Sequence, residues 1–183
     1  FHDTVAAVAP SARGGVTMKF GDKSYQTSMI GTTPEYRDVN NSPVQAGRFL
    51  SKADVDGRLK VAVLGTSVIS QLTGSPTTDL VGATVQINRS AYRVVGILKT
   101  KGAGAFGQDQ DDIVIVPVTT ALRRILNQTW IGSISIEAAS KQTRVALLLA
   151  SLLLAAGVIV DGTSSYRAFE KRHRGEVEQQ LSA

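Results

Sequence analysis

The densest chemistry in this chain lies between Gly102 and Asp112, in the run GAGAFGQDQDD. Asp109, Asp111 and Asp112 crowd carboxylates together, and hard oxygen ligands so close in sequence could hold a divalent cation. A calcium loop with that spacing also needs glycine at its sixth position and an acidic residue at its twelfth. Counted from Asp109, those positions hold Val114 and Thr120, so the run reads as a solvated acidic turn. Gly102, Gly104 and Gly107 match G-x-G-x-x-G, but the dinucleotide fingerprint requires a helix next, whose N-terminus faces the pyrophosphate. Here the strand-like IVIVPV follows. A mobile, glycine-rich loop between two strands is predicted, binding neither dinucleotide nor calcium.

The other reactive residue types lead no further. His2 sits beside the chain start and His173 in a basic run, so both read as surface histidines and not as general bases. Gly65-Thr66-Ser67 lacks the second glycine of a nucleophile elbow, and no GxxxxGK[ST] run exists to cradle a nucleotide. The absence of cysteine removes disulfides, zinc-thiolate sites and thiol nucleophiles together. A net charge of +5 is spread along the chain, without the clustered Lys/Arg and interleaved aromatics of a nucleic-acid groove. The residues themselves point to no catalytic, cofactor or metal site and to no nucleic-acid partner.

The elements around these residues alternate short apolar runs with glycine-centred turns, which predicts a small, β-rich mixed domain. Asp3 or Thr4 could cap a helical turn over VAAVA, ended by Pro10. VTMKF and SYQTSMI form a hairpin turning at Gly21-Asp22. GTTPEYRDVNN is a connector, and Ser51 caps a short turn over KADVD. KVAVLG shows no alternation and reads as a strand buried on both faces. Thr66 or Ser67 caps a helix over SVISQLT, closed by Gly74. LVGATVQIN and SAYRVVGILKT form a second hairpin turning at Asn88-Arg89-Ser90, with Gly82 and Gly96 marking bulges or close backbone approach. DIVIVPV is a strand from which Pro117 exits. TTALRRILNQ is a helix capped by Thr119 or Thr120, and WIGSISIEA is a returning strand with Trp130 as a core anchor. The uncharged run from Val145 to Val160 falls short of the roughly 20 residues a membrane span needs and is expected to be a buried helix. A polar helix follows, with Glu170 and Arg174 paired. The chain starts at Phe1 with no signal-peptide pattern, and is expected to be cut from a longer protein.

The order of these pieces resembles the extracytoplasmic core domain of MacB-type ABC transporter permeases. GTTPEYRDVNNSPVQAGR resembles the passage from a first strand pair into a distal lobe. Gly47-Arg48 with Asp54 is similar to the family's "GR…D" element. Val61 to Gly65 resembles its "VAVLG" strand, Val81-Gly82 the "VG" turn, and Tyr92 to Gly96 the "VVG" strand. Asp112 to Val118 resembles the strand ending in "VPxxT", and Trp130 to Ile136 the returning strand. The resemblance covers roughly residues 1–140. It departs in the last 40 residues, where the helix is nearly all apolar and Arg172-His173 arrives late.

The resemblance implies an α+β fold of two lobes. A small, membrane-proximal α/β lobe would comprise residues 1–36 and 133–183, with a mixed β-rich distal lobe, 37–132, inserted between them. It further implies a non-catalytic module of an export permease at the periplasmic or extracellular face of the cytoplasmic membrane. Such a module contacts a periplasmic adaptor protein and passes on ATP-driven motion from an ABC ATPase elsewhere in the transporter, which is a homodimer. Gln108, Asp109, Asp111 and Asp112 are the expected partner-contact residues, on the view that exposed carboxylates at a loop tip cost the fold little. A stand-alone, soluble two-lobe domain that binds a small ligand between its lobes is the competing expectation.

Overall fold

The hairpin read from VTMKF and SYQTSMI is present and much longer than its alternation suggests: β1 runs Val5–Phe20 and β2 Lys23–Thr32. The computed structural model describes residues 5–104 and 107–138. The chain divides into two units, Val5–Glu137 and Phe1–Thr4 with Ala138–Ala183, and the architecture below is that of the first. The expected helices beyond residue 139, the Glu170–Arg174 pair, both histidines and the caps at Asp3 and Thr4 lie outside the described residues. The helical turn expected over VAAVA is instead the start of β1. Five residues are too few to repay helix nucleation on their own, even with three alanines, and tertiary pairing decides. One edge of β1 pairs with β8 (Ser133–Ala138). Pro10, which has no N–H to give, precedes the first β1–β2 pair, Ser11↔Thr32; its carbonyl accepts from Thr32 Oγ1 at 2.8 Å.

The remaining strands are β3 (Val44–Gly47), β4 (Val61–Leu64), β5 (Thr84–Ile87), β6 (Ser90–Leu98) and β7 (Ile113–Pro117). Six of the eight strands form a ring. β1 pairs with β2, β2 with β7, β7 with β4, β4 with β6, β6 with β5, and β5 returns to β1 through Met18↔Ile87 and Lys19↔Gln86. Closure leaves no free edge along the ring and so removes the usual liability of a small sheet. β3 and β8 extend it, on β6 and β1 respectively. The fold is mixed α/β with strands dominant.

Alternation along the strands sorts the apolar residues into two cores. Met18, Met29, Ala62, Leu64, Val85, Ile87, Tyr92, Val94, Val114 and Val116 share one cluster, which Val68, Ile69 and Leu72 of α3 (Thr66–Thr73) complete. Ile30, Val61, Val63, Leu98 and Ile115 point the other way and pack with Tyr36, Phe49 and Leu50. Val61–Leu64 is therefore buried on both faces, as its lack of alternation predicts. Tyr36 comes from α1 (Tyr36–Val39), a short helix within the expected connector, while Phe49 and Leu50 lie just before α2 (Lys52–Asp56).

Several local expectations are corrected. The helix after β4 begins at Thr66 with Gly65 as N-cap, and no side chain caps it. A side chain at position 65 would run into the Asp111 carbonyl, so the capping position takes glycine. The helix after β7 starts earlier than expected, as α4 (Val118–Thr120) with Pro117 as N-cap, and continues as a π-helical turn over Ala121–Ile125. Thr119 and Thr120 do not cap it. Their hydroxyls donate to the carbonyls of Val55 (2.6 Å) and Leu59 (3.0 Å), fastening this segment to the end of α2. Gly82 lies in a turn ahead of β5, not within a strand. Trp130, expected as a core anchor, is 66% exposed in the loop before β8. Among the described residues no helix is long and apolar enough to cross a membrane.

Gly96 carries the close approach its position in β6 implies. The β4–β6 register shifts between Ala62 and Val63, a bulge, and a Cβ at Gly96 would overlap the Arg48 carbonyl oxygen. Backbone has little room to yield, so Gly96→Ala is expected to cost about 1–3 kcal/mol through overpacking. Urea unfolding of the variant and the wild type measures it, and an unchanged midpoint would contradict the packing described.

Candidate partner-contact loop

The loop between β6 and β7 holds all four residues expected to meet a partner, and the structure gives them different positions. Gln108 and Asp109 are exposed, Asp112 is half-buried and Asp111 is 4% exposed. The three carboxylates do not converge. Asp111 accepts from the backbone N–H of Lys101 at 2.8 and 3.1 Å and of Gly102 at 2.9 Å. Asp112 accepts from Thr27 Oγ1 at 2.7 Å and from the Tyr25 hydroxyl at 3.2 Å. Asp109 Oδ1 accepts from the backbone N–H of Asp111 at 2.8 Å. Burial, and next the charge of Asp112, raise the Tyr25 phenol above its usual pKa.

These contacts correct the expectation of a solvated acidic turn with few restraints. Two of the three carboxylates are fastened inward, Asp111 by the loop's own amides and Asp112 by the β2 side chains of Thr27 and Tyr25. The ends of the loop are further tied by Gly104 N–H to the Gln108 carbonyl (2.8 Å), Gly107 N–H to the Gly104 carbonyl (2.9 Å), Gln110 N–H to the Gly102 carbonyl (3.2 Å) and an isolated antiparallel bridge, Ala103↔Asp109. The glycines of G-x-G-x-x-G thus belong to a small hydrogen-bonded hairpin. No helix follows them: β7 begins at Ile113.

Lys101, which sequence reading passed over, anchors the loop from the other side. Its ammonium donates to the Asn40 carbonyl at 2.8 Å and to Ser42 Oγ at 2.9 Å. Desolvation lowers its pKa, and the charge of Asp111 opposes that. Tyr25, Thr27, Asn40 and Ser42 come from distant stretches of sequence, so no local pattern could have assigned them to this loop.

A second charged cluster shapes the chain beside β3. Arg48 donates in bidentate fashion to Asp54, at 2.6 and 3.0 Å. Asp54 also accepts from the Ser51 backbone N–H (2.8 Å) and hydroxyl (2.7 Å), completing a capping box at the start of α2. Asp54 is 1% exposed. Burial alone would raise its pKa, but the bonds from Arg48 and Ser51 outweigh it and bring the carboxyl down from 3.8 to about 2. The "GR…D" element is therefore a structural brace.

A profile of the MacB-like periplasmic core domain matches residues 1–149. The chain belongs to this family. The macrolide export ATP-binding/permease protein MacB of Chlorobium luteolum is 35% identical over 141 residues, 77% of this chain and 21% of that protein. Its namesake from Bdellovibrio bacteriovorus is 37% identical over 130 residues, 71% of this chain and 20% of that one. The MacB-like chain thus spans about a fifth of the length of these relatives. Among solved structures, the periplasmic region of MacB from Actinobacillus actinomycetemcomitans superposes with a TM-score of 0.65 at 26% identity, covering 81% of this chain and 68% of that one. The extracellular domain of the ABC-type transporter YknZ from Gram-positive bacteria gives 0.63 at 20% identity, over 75% and 67%, and shares the fold. The MacB-like chain is an extracytoplasmic, periplasmic domain of an ABC permease.

Two outcomes test the geometry of this MacB-like domain. Asp111→Ala strips a buried acceptor from two backbone amides and should cost about 2–3 kcal/mol, whereas Asp109→Ala should cost under about 1 kcal/mol. Urea unfolding gives the energies, and hydrogen exchange at the Lys101 and Gly102 amides should accelerate only in the first variant. Because the Asp54 carboxyl titrates lower when folded than unfolded, its contribution, about 2 kcal/mol, is complete above about pH 5 and disappears as the pH falls through about 2. The stability difference between wild type and Asp54→Asn should therefore shrink by that amount on acidification from pH 5 to 2. A constant difference would refute the brace.

Proposed function

We propose that this domain is a non-catalytic coupling module of an export permease. It binds a periplasmic adaptor protein and carries conformational change, driven by an ABC ATPase elsewhere in the transporter, towards that adaptor. The observation that carries this reading is the family match over residues 1–149, together with relatives whose own names are those of macrolide export ATP-binding/permease proteins. In this reading the full transporter is a homodimer. Residues 1–36 with 133–183 make the membrane-proximal lobe and 37–132 the inserted distal lobe. The β1–β5 and β2–β7 ladders cross between those two segments, and hydrogen-bonded strands suit a module that must move as one piece.

The contact surface in this reading is the β6–β7 loop, with Gln108 and Asp109 facing the partner. Asp112 adds negative charge from a half-buried position, and Asp111 holds the loop's shape from behind. Gln108 and Asp109 sit on a stretch tied to residues 102–104 by backbone hydrogen bonds, which leaves less ordering entropy to lose on binding. The test is a pull-down of the cognate adaptor with the wild type and with Gln108→Lys/Asp109→Lys, accompanied by thermal melts. Adaptor recovery should drop several-fold while the melting temperature moves by no more than about 2 °C, since both residues are exposed. Undiminished recovery would remove this loop as the contact. Turnover of a small molecule by the isolated domain would overturn the non-catalytic reading.

A further inference from the structure

Among the described residues, two of the surface grooves differ in charge. The larger, about 600 Å³, runs past Arg37, Asp38, Asn41, Val44 and Arg48. Its cations are neutralised in place, Arg37 by Asp38 at 3.0 Å and Arg48 by Asp54 at 2.6 Å. The smaller, about 470 Å³, is lined by Thr17, Lys19, Ser24, Gln86, Asn88 and Arg89, two cations and no acid. Lys19 faces Ser24 across the β1–β2 ladder and Gln86 across the β1–β5 ladder. Among the described residues neither Lys19 nor Arg89 takes part in an ion pair; those found there are Arg37–Asp38 and Arg48–Asp54. The nearest acid in sequence, Asp22, sits in the hairpin turn and does not line the groove.

The floor of this groove is fixed in shape. Asn88 Oδ1 accepts from the Thr17 N–H at 2.9 Å, and the Asn88 N–H donates to the Thr17 carbonyl at 2.9 Å. The β5–β6 turn is thereby fastened to β1. Asn88 and Arg89 hold φ values of 46° and 67°, the conformation of a type I′ hairpin turn, so the turn that carries Arg89 is of a defined type. Lys19 and Arg89 stand on different elements, and Thr17, Ser24, Gln86 and Asn88 line the same groove. Gln86 and Arg89 are separated by at most about 10 Å of chain. Two single charges in one groove with amide and hydroxyl groups match carboxylates spaced along a peptide.

We propose that this groove is a docking site for an acidic segment of a protein partner. It shares no residue with the Lys101–Asp112 loop, so it stands or falls independently of the adaptor reading. Unpaired cations in a concave polar surface focus potential and steer acidic partners. Both side chains are exposed, so changing them leaves the cores untouched.

The probe is a hexaglutamate peptide capped at both ends, titrated into the 183-residue chain and followed by amide chemical shifts. A capped hexaglutamine serves as control. Shifts centred on Lys19, Ser24, Gln86 and Arg89 are expected with hexaglutamate alone. Affinity should fall about tenfold in Lys19→Gln/Arg89→Asn, or about 1.4 kcal/mol. It should fall again as ionic strength rises from 50 to 300 mM, because exposed charges are screened. Asn at position 89 tolerates the positive φ, and a Lys52→Gln/Lys60→Gln variant, which removes two exposed lysines elsewhere, should bind as the wild type does. Equal loss in both variants, shifts scattered over the surface, or binding to phosphatidylglycerol vesicles that exceeds binding to the peptide would overturn the proposal.

Discussion

The return of β5 onto β1, through Met18↔Ile87 and Lys19↔Gln86, is the pairing on which the rest of the structure depends. Without it the strands would form an open sheet with two edges. With it, the inward side chains of six strands enclose one apolar cluster, and the outward faces of β2, β4 and β7 become the floor of a second. The strands can serve two cores only because alternate residues face opposite ways. That is why β4 and β7, between the two clusters, are nearly all Val, Ile, Leu and Ala, whereas β5, with one face in water, alternates as exposed Thr84 and Gln86 with buried Val85 and Ile87.

Closure also decides where polar residues can lie. Chain that leaves the ring at β6 and re-enters at β7 must satisfy its backbone groups close to a packed interior, and Asp111 supplies the acceptors from a position that is itself buried. Arg48, Ser51 and Asp54 do the same beside β3, where the chain bends from an edge strand into α2. Both clusters use ionised hydrogen bonds with several partners per carboxylate. Buried charge is tolerable in that form, and losing one partner is expensive.

The surfaces left over carry the exposed polar and charged groups. Gln108 and Asp109 project from a loop whose base is fixed, and Lys19 and Arg89 flank a polar groove on the opposite sign of charge. Both lie on strands of one hydrogen-bonded sheet or on the connections between them.

The residue pattern by itself determined most of the strand and turn inventory, but not β3, whose stretch it reads as irregular, nor the start of β1. The double burial of β4, the Ser51 cap before Lys52–Asp56, the αL stop at Gly74 and a turn over Asn88-Arg89-Ser90, of which Ser90 already belongs to β6, follow from local rules of period and capping. The order of those pieces was enough to mark the family. Tertiary structure alone decided the rest. VAAVA is the start of β1, a strand held by β2, β5 and β8, and Gly65 replaces a side-chain cap because the Asp111 carbonyl fills the space. Asp111 is buried and Asp112 half-buried because Lys101, Gly102, Tyr25 and Thr27 reach them. Trp130 is in water because its loop, not its hydrophobicity, sets its position. In each case the deciding partner is remote in sequence or is a backbone group, and neither leaves a mark in the local pattern of residues.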